Sequence, residues 1–199
     1  EAAQKGLSLL KGREGEMIAS EAVTIVDDPH RPHSAASQSF DGEGVPTQKK
    51  NVVEKGVLQT LLHNLTTAAK QGVTTTGNAA RGYASAVGVA PTNFYIAPSQ
   101  ESVEAMLARM GEGFLITEVS GLHAGANQIS GDFSLLAKGF AVRGGQKAEP
   151  VEQITVAGNF FAVLKDVVAV ADDLAFGLPG GSLVGSPTIW VKALSVAGK

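Results

Sequence analysis

The sequence predicts a β-rich α+β domain, because short strand-like runs outnumber helical patterns along its 199 residues. Three observations carry this expectation. Clusters of β-branched and aromatic residues, such as Phe114-Leu115-Ile116-Thr117-Glu118-Val119, recur between glycine- and proline-bearing turns. Two extended stretches, 132–143 and 149–156, flank Gly144-Gly145-Gln146-Lys147, which is a hairpin signature. A hydrophobic content of 44% with 24 glycines describes a turn-rich globular chain rather than a disordered one.

The elements follow in order. Residues 21–26 read as a strand closed by Asp27-Asp28-Pro29, and 30–43 as a loop rich in Ser, Gly and Pro. From Val52 the apolar residues Val53, Val57, Leu61, Leu65 and Ala68-Ala69 fall about four apart, which fits an amphipathic helix. Gly56 inside that pattern costs about 1 kcal/mol relative to alanine. Residues 72–93 read as a long functional loop with short extended pieces. A helix begins in Ser99-Gln100-Glu101-Ser102-Val103-Glu104, where a serine caps free amides and early glutamates suit the positive dipole end. It runs through Arg109, and Gly111 and Gly113 end it. Asn159 caps a further helix with an apolar face of Phe160, Val163, Leu164, Val167 and Val168. Residues 178–187 read as a surface loop and 188–196 as a closing strand.

Composition narrows the functions. The net charge is -3 and no basic run exceeds Lys49-Lys50, so direct nucleic-acid binding is not expected. The absence of cysteine excludes disulfides, thiolate metal sites and a cysteine nucleophile, and fits a reducing cytoplasm. No stretch approaches the ~20 apolar residues that span a bilayer, and 1–20 lack a signal-peptide core. Asn64-Leu65-Thr66 reads as a chance sequon. The chain begins at Glu1 rather than methionine, which reads as a piece of something longer.

Candidate chemistry is sparse. His30 and His33 are bracketed by Pro29 and Pro32, which forbid the helix that would align them on a metal. His63 is alone on an apolar segment. His123 lies between glycines in Gly121-Leu122-His123-Ala124-Gly125, where backbone can approach a ligand; it is a candidate substrate contact, or a structural hydrogen-bonder. Asp41 and Glu43 are two apart, either an acid/base pair or a capping turn. Gly77-Asn78-Ala79-Ala80-Arg81 offers amides and a guanidinium to a carboxylate such as a peptide C-terminus, with a tight turn as the alternative. Gly181-Ser182-Leu183-Val184-Gly185-Ser186 lacks the lysine of a phosphate loop. There is no Gly-x-Ser-x-Gly elbow.

An ordered series of motifs adds to this reading. Phe40-Asp41-Gly42-Glu43-Gly44-Val45-Pro46-Thr47 is followed by Thr76-Gly77-Asn78, Pro91-Thr92-Asn93, Glu118-Val119-Ser120-Gly121, Ser130-Gly131-Asp132-Phe133-Ser134 and Pro150-Val151-Glu152-Gln153-Ile154-Thr155-Val156-Ala157-Gly158-Asn159. From about Ile25 onward the series resembles the C-terminal half of the TldD/PmbA family, known for DNA gyrase modulation and peptide-maturation proteolysis. Its wording is closer to the PmbA, or TldE, branch.

The resemblance implies one C-terminal domain over 1–199, without its N-terminal partner domain. It implies mixed or antiparallel sheets with two to three helices, and a strand around 52–62 followed by a helix after Asn64; this ordering is preferred to the periodic helix. Asp41, Glu43, Gly44, Asn93, Gly131, Gly158 and Asn159 are its motif positions, and Gly77, Asn78, Arg81, His123 and Asp132 are the candidate substrate contacts. In the TldD branch the resemblance implies a His-Glu-x-x-x-His motif in the N-terminal half and a cysteine ligand near the C-terminus. This chain has neither, and Phe176-Gly177-Leu178-Pro179-Gly180-Gly181 stands where the cysteine is expected. No catalytic residue and no metal ligand is therefore assigned to it. The expectation is a subunit of a cytoplasmic metallopeptidase acting on unfolded or precursor peptides, with zinc supplied by a TldD-type partner. The alternative is a non-enzymatic homodimeric interaction protein.

Overall fold

A computed structural model describes residues 2–178, 180 and 182–198. The first half contains β1 (Ile25–Asp27), β2 (Lys50–Glu54), β3 (Val57–Leu58), α1 (Leu65–Gln71), β4 (Ala79–Ala80), β5 (Gly88–Val89), β6 (Asn93–Ile96) and α2 (Val103–Met110). The second contains β7 (Gly113–Ser120), α3 (Leu122–Gly125), β8 (Asp132–Arg143), β9 (Gln146–Asn159), α4 (Phe160–Lys165), β10 (Val167–Val170), β11 (Ala175–Phe176), β12 (Leu183–Ser186), β13 (Ile189–Val191) and β14 (Ser195–Ala197).

Two sheets dominate. A six-stranded sheet runs β11-β12-β6-β1-β2-β3, antiparallel throughout except that β12 lies parallel to β6. A four-stranded antiparallel sheet runs β14-β9-β8-β7. The pairs β10-β13 and β4-β5 are separate ribbons. The main core gathers Ile18, Val23, Val53, Leu58, Leu164 and Val167 against Ile25, Phe94 and Ile96 of the six-stranded sheet. The four-stranded sheet carries its own smaller core of Leu135, Ala137, Ile154 and Val156.

The β-rich α+β class with mixed and antiparallel sheets is what the sequence predicts, with a one-turn helix, α3, bringing the helices to four among the described residues. Between 50 and 71 the chain forms strand, strand, then helix. Lys55 and Gly56, at φ 45° and 82°, make the tight turn between β2 and β3. A Cβ on Gly56 would lie 2.4 Å from the Ala19 carbonyl, so glycine is required there. The four-residue apolar spacing is thus a strand pair followed by a helix. Asn64 caps α1 through a reciprocal capping box with Thr67, which buries the sequon side chain.

Several boundaries differ from expectation. The helix expected to begin within 99–104 starts at Val103, with Ser102 as its cap. The β8–β9 hairpin turns on Gly144-Gly145 alone, both left-handed, so β9 starts at Gln146. The helix after Asn159 stops at Lys165, and Val167 and Val168 belong to β10, because their β-branched run pairs with β13. Residues 183–186, expected in a loop, form β12 inside the six-stranded sheet. The closing segment divides: β13 joins β10 while β14 edges the four-stranded sheet. Glu1, Pro179, Gly181 and Lys199 lie outside the described residues, and with them parts of the 176–181 and 181–186 motifs.

Candidate functional site

The acidic turn is organised by Asp41, which is buried. Its Oδ1 accepts the amides of Glu43 at 2.9 Å and Val45 at 3.0 Å, closing its own turn. Its Oδ2 accepts the amide of Ala79 at 2.9 Å. Gly42 donates in return to the Ala79 carbonyl at 2.9 Å. Glu43 serves another element, its Oε2 accepting the Leu65 amide at 2.8 Å at the start of α1. The two carboxylates are therefore committed to different backbone groups rather than poised as an acid/base pair. Gly44, at φ 79°, provides the left-handed residue of the turn.

Asn78 belongs to a second buried network that sequence reasoning did not find. Asp27 Oδ1 accepts the Thr92 amide and hydroxyl, both at 2.7 Å. Its Oδ2 accepts Asn78 Nδ2 at 2.7 Å and Lys50 Nζ at 3.1 Å. Lys50 also donates to Asn78 Oδ1 at 3.1 Å, as does the Thr76 hydroxyl at 2.7 Å. Beside it, Asn93 donates to the Asp28 carbonyl at 2.6 Å and accepts from the Ser34 hydroxyl. Every polar side-chain atom buried here has a partner, as a low-dielectric interior demands.

These contacts answer the carboxylate-cradle expectation for 77–81. The Asn78 amide donates to the His63 carbonyl, and the Ala79 amide to Asp41. Gly77 is left-handed at φ 67°, and a Cβ there would sit 2.9 Å from the Pro46 carbonyl. Of the backbone amides in 77–81, that of Ala79 meets a carboxylate, and that carboxylate is the chain's own Asp41. Arg81 lies beyond it, exposed. His63 is buried with Nδ1 3.2 Å from Thr67 Oγ1, and burial pulls its pKa below the ordinary histidine value. His30 Nε2 sits 3.2 Å from Thr47 Oγ1, whereas His33 is exposed, so the two are not a ligand pair.

The remaining motif residues form a separate cluster at one end of β8 and β9. Asp132 pairs with Asn159 in register. Asn159 Nδ2 donates to Asp132 Oδ1 at 2.8 Å and to the Ser130 carbonyl at 2.9 Å, while its Oδ1 accepts the amides of Phe161 and Ala162 to cap α4. The Asn159 bond first, and then the Ser130 hydroxyl at 2.7 Å, hold the Asp132 carboxyl below its usual range. A Cβ on Gly131 would fall 2.7 Å from the Phe161 ring, and one on Gly158 3.1 Å from Leu194. The glycines let these side chains close over the sheet.

That closure walls a largely apolar groove of about 1230 Å³, lined by Met106, Met110, Phe114, Phe133, Phe161 and Trp190 among others. It opens beside β7, the outer strand of the four-stranded sheet, which pairs only with β8 among the described residues. His123 is exposed on α3, next to groove-lining Leu122. No hydrogen bond or ion pair among the described residues joins Gly77, Asn78 or Arg81 to His123 or Asp132.

With this geometry established, comparison with known proteins is decisive. The family profile of the PmbA/TldA metallopeptidase C-terminal domain matches residues 1–198. The chain belongs to the PmbA/TldD metallopeptidase family. A metalloprotease PmbA homolog of Haemophilus influenzae is 37% identical over 168 residues, 84% of this chain and 35% of that protein. A solved Thermotoga maritima structure, described as a candidate modulator of a DNA gyrase, matches with TM-score 0.89 and 46% identity over 98% of this chain and 44% of its own. TldE from Thermococcus kodakarensis matches with TM-score 0.88 and 27% identity over 99% and 44%. The chain thus spans less than half the length of these relatives.

The metallopeptidase name implies a metal, and the residues of this chain do not fit one. It has no cysteine, and no three His, Cys, Asp or Glu side chains converge among the described residues. Phe176, the first residue of the 176–181 stretch, has its ring under a cation, with the Arg31 guanidinium carbon 4.6 Å from the ring centroid.

Proposed function

We propose that this chain is the C-terminal domain of a PmbA-type subunit in a cytoplasmic metallopeptidase assembly, whose zinc is held by a TldD-type partner. In this role it walls the chamber and holds unfolded or precursor peptides. The observation that carries the reading is the apolar groove opening beside the outer strand β7. An extended peptide adds to such an edge through backbone hydrogen bonds and places alternate side chains in the groove. The absence of cysteine, which the TldD branch is expected to carry near its C-terminus, supports a PmbA-type chain, and the family membership supports the pairing. His123 and Asp132 flank the groove as candidate peptide contacts, while Gly77 and Asn78 act as scaffold.

The test is a peptidase assay on the full-length protein alone, on a TldD-type subunit alone, and on the mixture. Cleavage of an unfolded peptide is expected only in the mixture, and a chelator should abolish it. An inactive mixture, with no complex on size exclusion, would favour the homodimeric interaction protein instead.

A further inference from the structure

We propose that Arg31, stacked on the aromatic platform of Phe176 and Tyr95 beside Lys49, is a receptor for a carboxylate of the bound peptide. The inference rests on the peptide-handling role above and names the group that anchors the peptide.

The platform begins with a glycine. Gly185 of β12 is the register partner of both Phe176 on β11 and Tyr95 on β6. Directly opposed residues project on the same face of a sheet, so the three occupy one row. A Cβ at Gly185 would lie 2.8 Å from the Phe176 ring. With hydrogen there instead, the ring reaches across β12 to meet Tyr95 edge-on, centroids 5.6 Å apart. Arg31, in the loop leaving β1, lays its guanidinium on this surface, 4.6 Å from the Phe176 centroid and 5.7 Å from that of Tyr95.

Arg31, like exposed Arg81, differs from the three remaining arginines in one respect. Arg13, Arg109 and Arg143 each pair with a glutamate. The Arg31 guanidinium makes no ion pair or hydrogen bond among the described residues. The carboxylate of its own loop, Asp28, is already engaged by Lys49 Nζ at 2.9 Å and by the His30 amide at 3.1 Å. Stacking uses the face of a guanidinium and leaves its edge donors available, in the fork geometry that matches a carboxylate. A side chain already immobilised on an aromatic surface also loses less freedom on binding.

The charge count selects the ligand. Asp28 neutralises Lys49, so Arg31 supplies the one uncompensated positive charge of this group. Lys49 is held above the ordinary lysine value by its bond to Asp28, with a smaller push from Tyr95 and an opposing one from Arg31, so these groups share one electrostatic neighbourhood. One planar fork with one net charge complements a monoanionic carboxylate better than a dianionic phosphate. The carboxylate can come from a peptide C-terminus or from an acidic side chain.

Three fluorescein-labelled nonapeptides of Ser, Ala and Val distinguish these sources on the full-length protein by fluorescence anisotropy: a free acid, its C-terminal amide, and the amide with one internal Glu. The free acid is expected to bind at least about tenfold more tightly than the acid-free amide. Arg31→Met should erase that preference, and Arg31→Lys, which keeps the charge but loses the fork, should retain only part of it. Tight binding of the Glu-containing amide would assign the carboxylate to a side chain, and weak binding to the C-terminus. Equal affinity for all three peptides, or a preference for a carboxylate peptide that survives Arg31→Met, overturns the proposal while leaving peptide handling intact. Failure of all three peptides to bind overturns both. Displacement of the free acid by inorganic phosphate at lower concentration than by acetate would assign the site to phosphate and overturn the proposal.

Discussion

Asp41 holds Ala79 across 38 residues of sequence, carboxylate Oδ2 to backbone amide at 2.9 Å. Two further amides, of Glu43 and Val45, depend on the same side chain. Replacing Asp41 with Ala strands three donors in a buried turn, and the expected loss of stability is about 3 kcal/mol. Asp41→Asn, which keeps an acceptor, should lose about half as much. Urea denaturation measures both, and an Ala variant within experimental error of wild type would show the turn to be dispensable.

In the Asp27–Lys50 pair the carboxylate is fully buried and the lysine half-buried, and both share Asn78. Lys50→Met leaves the Asp27 carboxylate without its cation, which should cost about 3–5 kcal/mol. Adding Asp27→Asn removes the stranded charge, so the double variant is expected to be more stable than Lys50→Met alone. A double-mutant cycle that returned strictly additive losses would contradict the coupling.

His63 gives stability a pH dependence of definite sign. Burial lowers its pKa in the folded state below the ordinary 6.5. Well above 6.5 both states are neutral and the histidine contributes no slope. As pH falls through 6.5, the unfolded chain binds a proton that the folded chain refuses, and stability declines until the lower folded value is passed. The limiting slope is about 1.4 kcal/mol per pH unit. His63→Gln should flatten the curve below about pH 7, to be read from melts in a series of buffers.

Gly139 controls how β7 lies on β8. A Cβ there would sit 1.9 Å from the Leu115 carbonyl, too close for any rotamer to relieve. Gly139→Ala is expected to cost about 3 kcal/mol and to push β7 away from β8. Hydrogen exchange should speed up along 113–120 before it does in β1 and β2. Unchanged protection in β7 would mean that the strand pair adjusts without separating.

Legibility followed the range of the physics. Asp-Gly-Glu-Gly is readable as a turn because its constraint is local, and Asn159 is readable as a cap for the same reason. The Val53-to-Ala69 spacing misleads because a strand pair, a turn and a helix happened to place apolar residues four apart. Val167 and Val168 continue the periodicity of α4, and only their pairing with β13 decides against helix. Residues 183–186 look like loop because Gly185 is chosen to admit the Phe176 ring, a requirement set by β11 and not by β12. Asp27, Lys50 and Thr92 carry no local mark at all. Their network joins groups 23 to 65 residues apart, and charge next to an apolar strand reads as its end. In the 77–81 segment the Ala79 amide meets a carboxylate, and nothing in the segment's own residues says that it is Asp41.

The parallel pairing of β12 with β6 sets a schedule during synthesis. Ser182 hydrogen-bonds the Pro91 carbonyl across 91 residues, and β12 docks just beyond it. At about 5–20 residues per second the ribosome needs roughly 5–20 s to deliver that partner. Throughout this interval β6 has an open edge, and Tyr95 lacks its β12 neighbour Gly185. An exposed strand edge is a template for wrong pairing. Until β12 docks, the N-terminal strands β1, β2 and β6 hold a sheet that is complete on one side only.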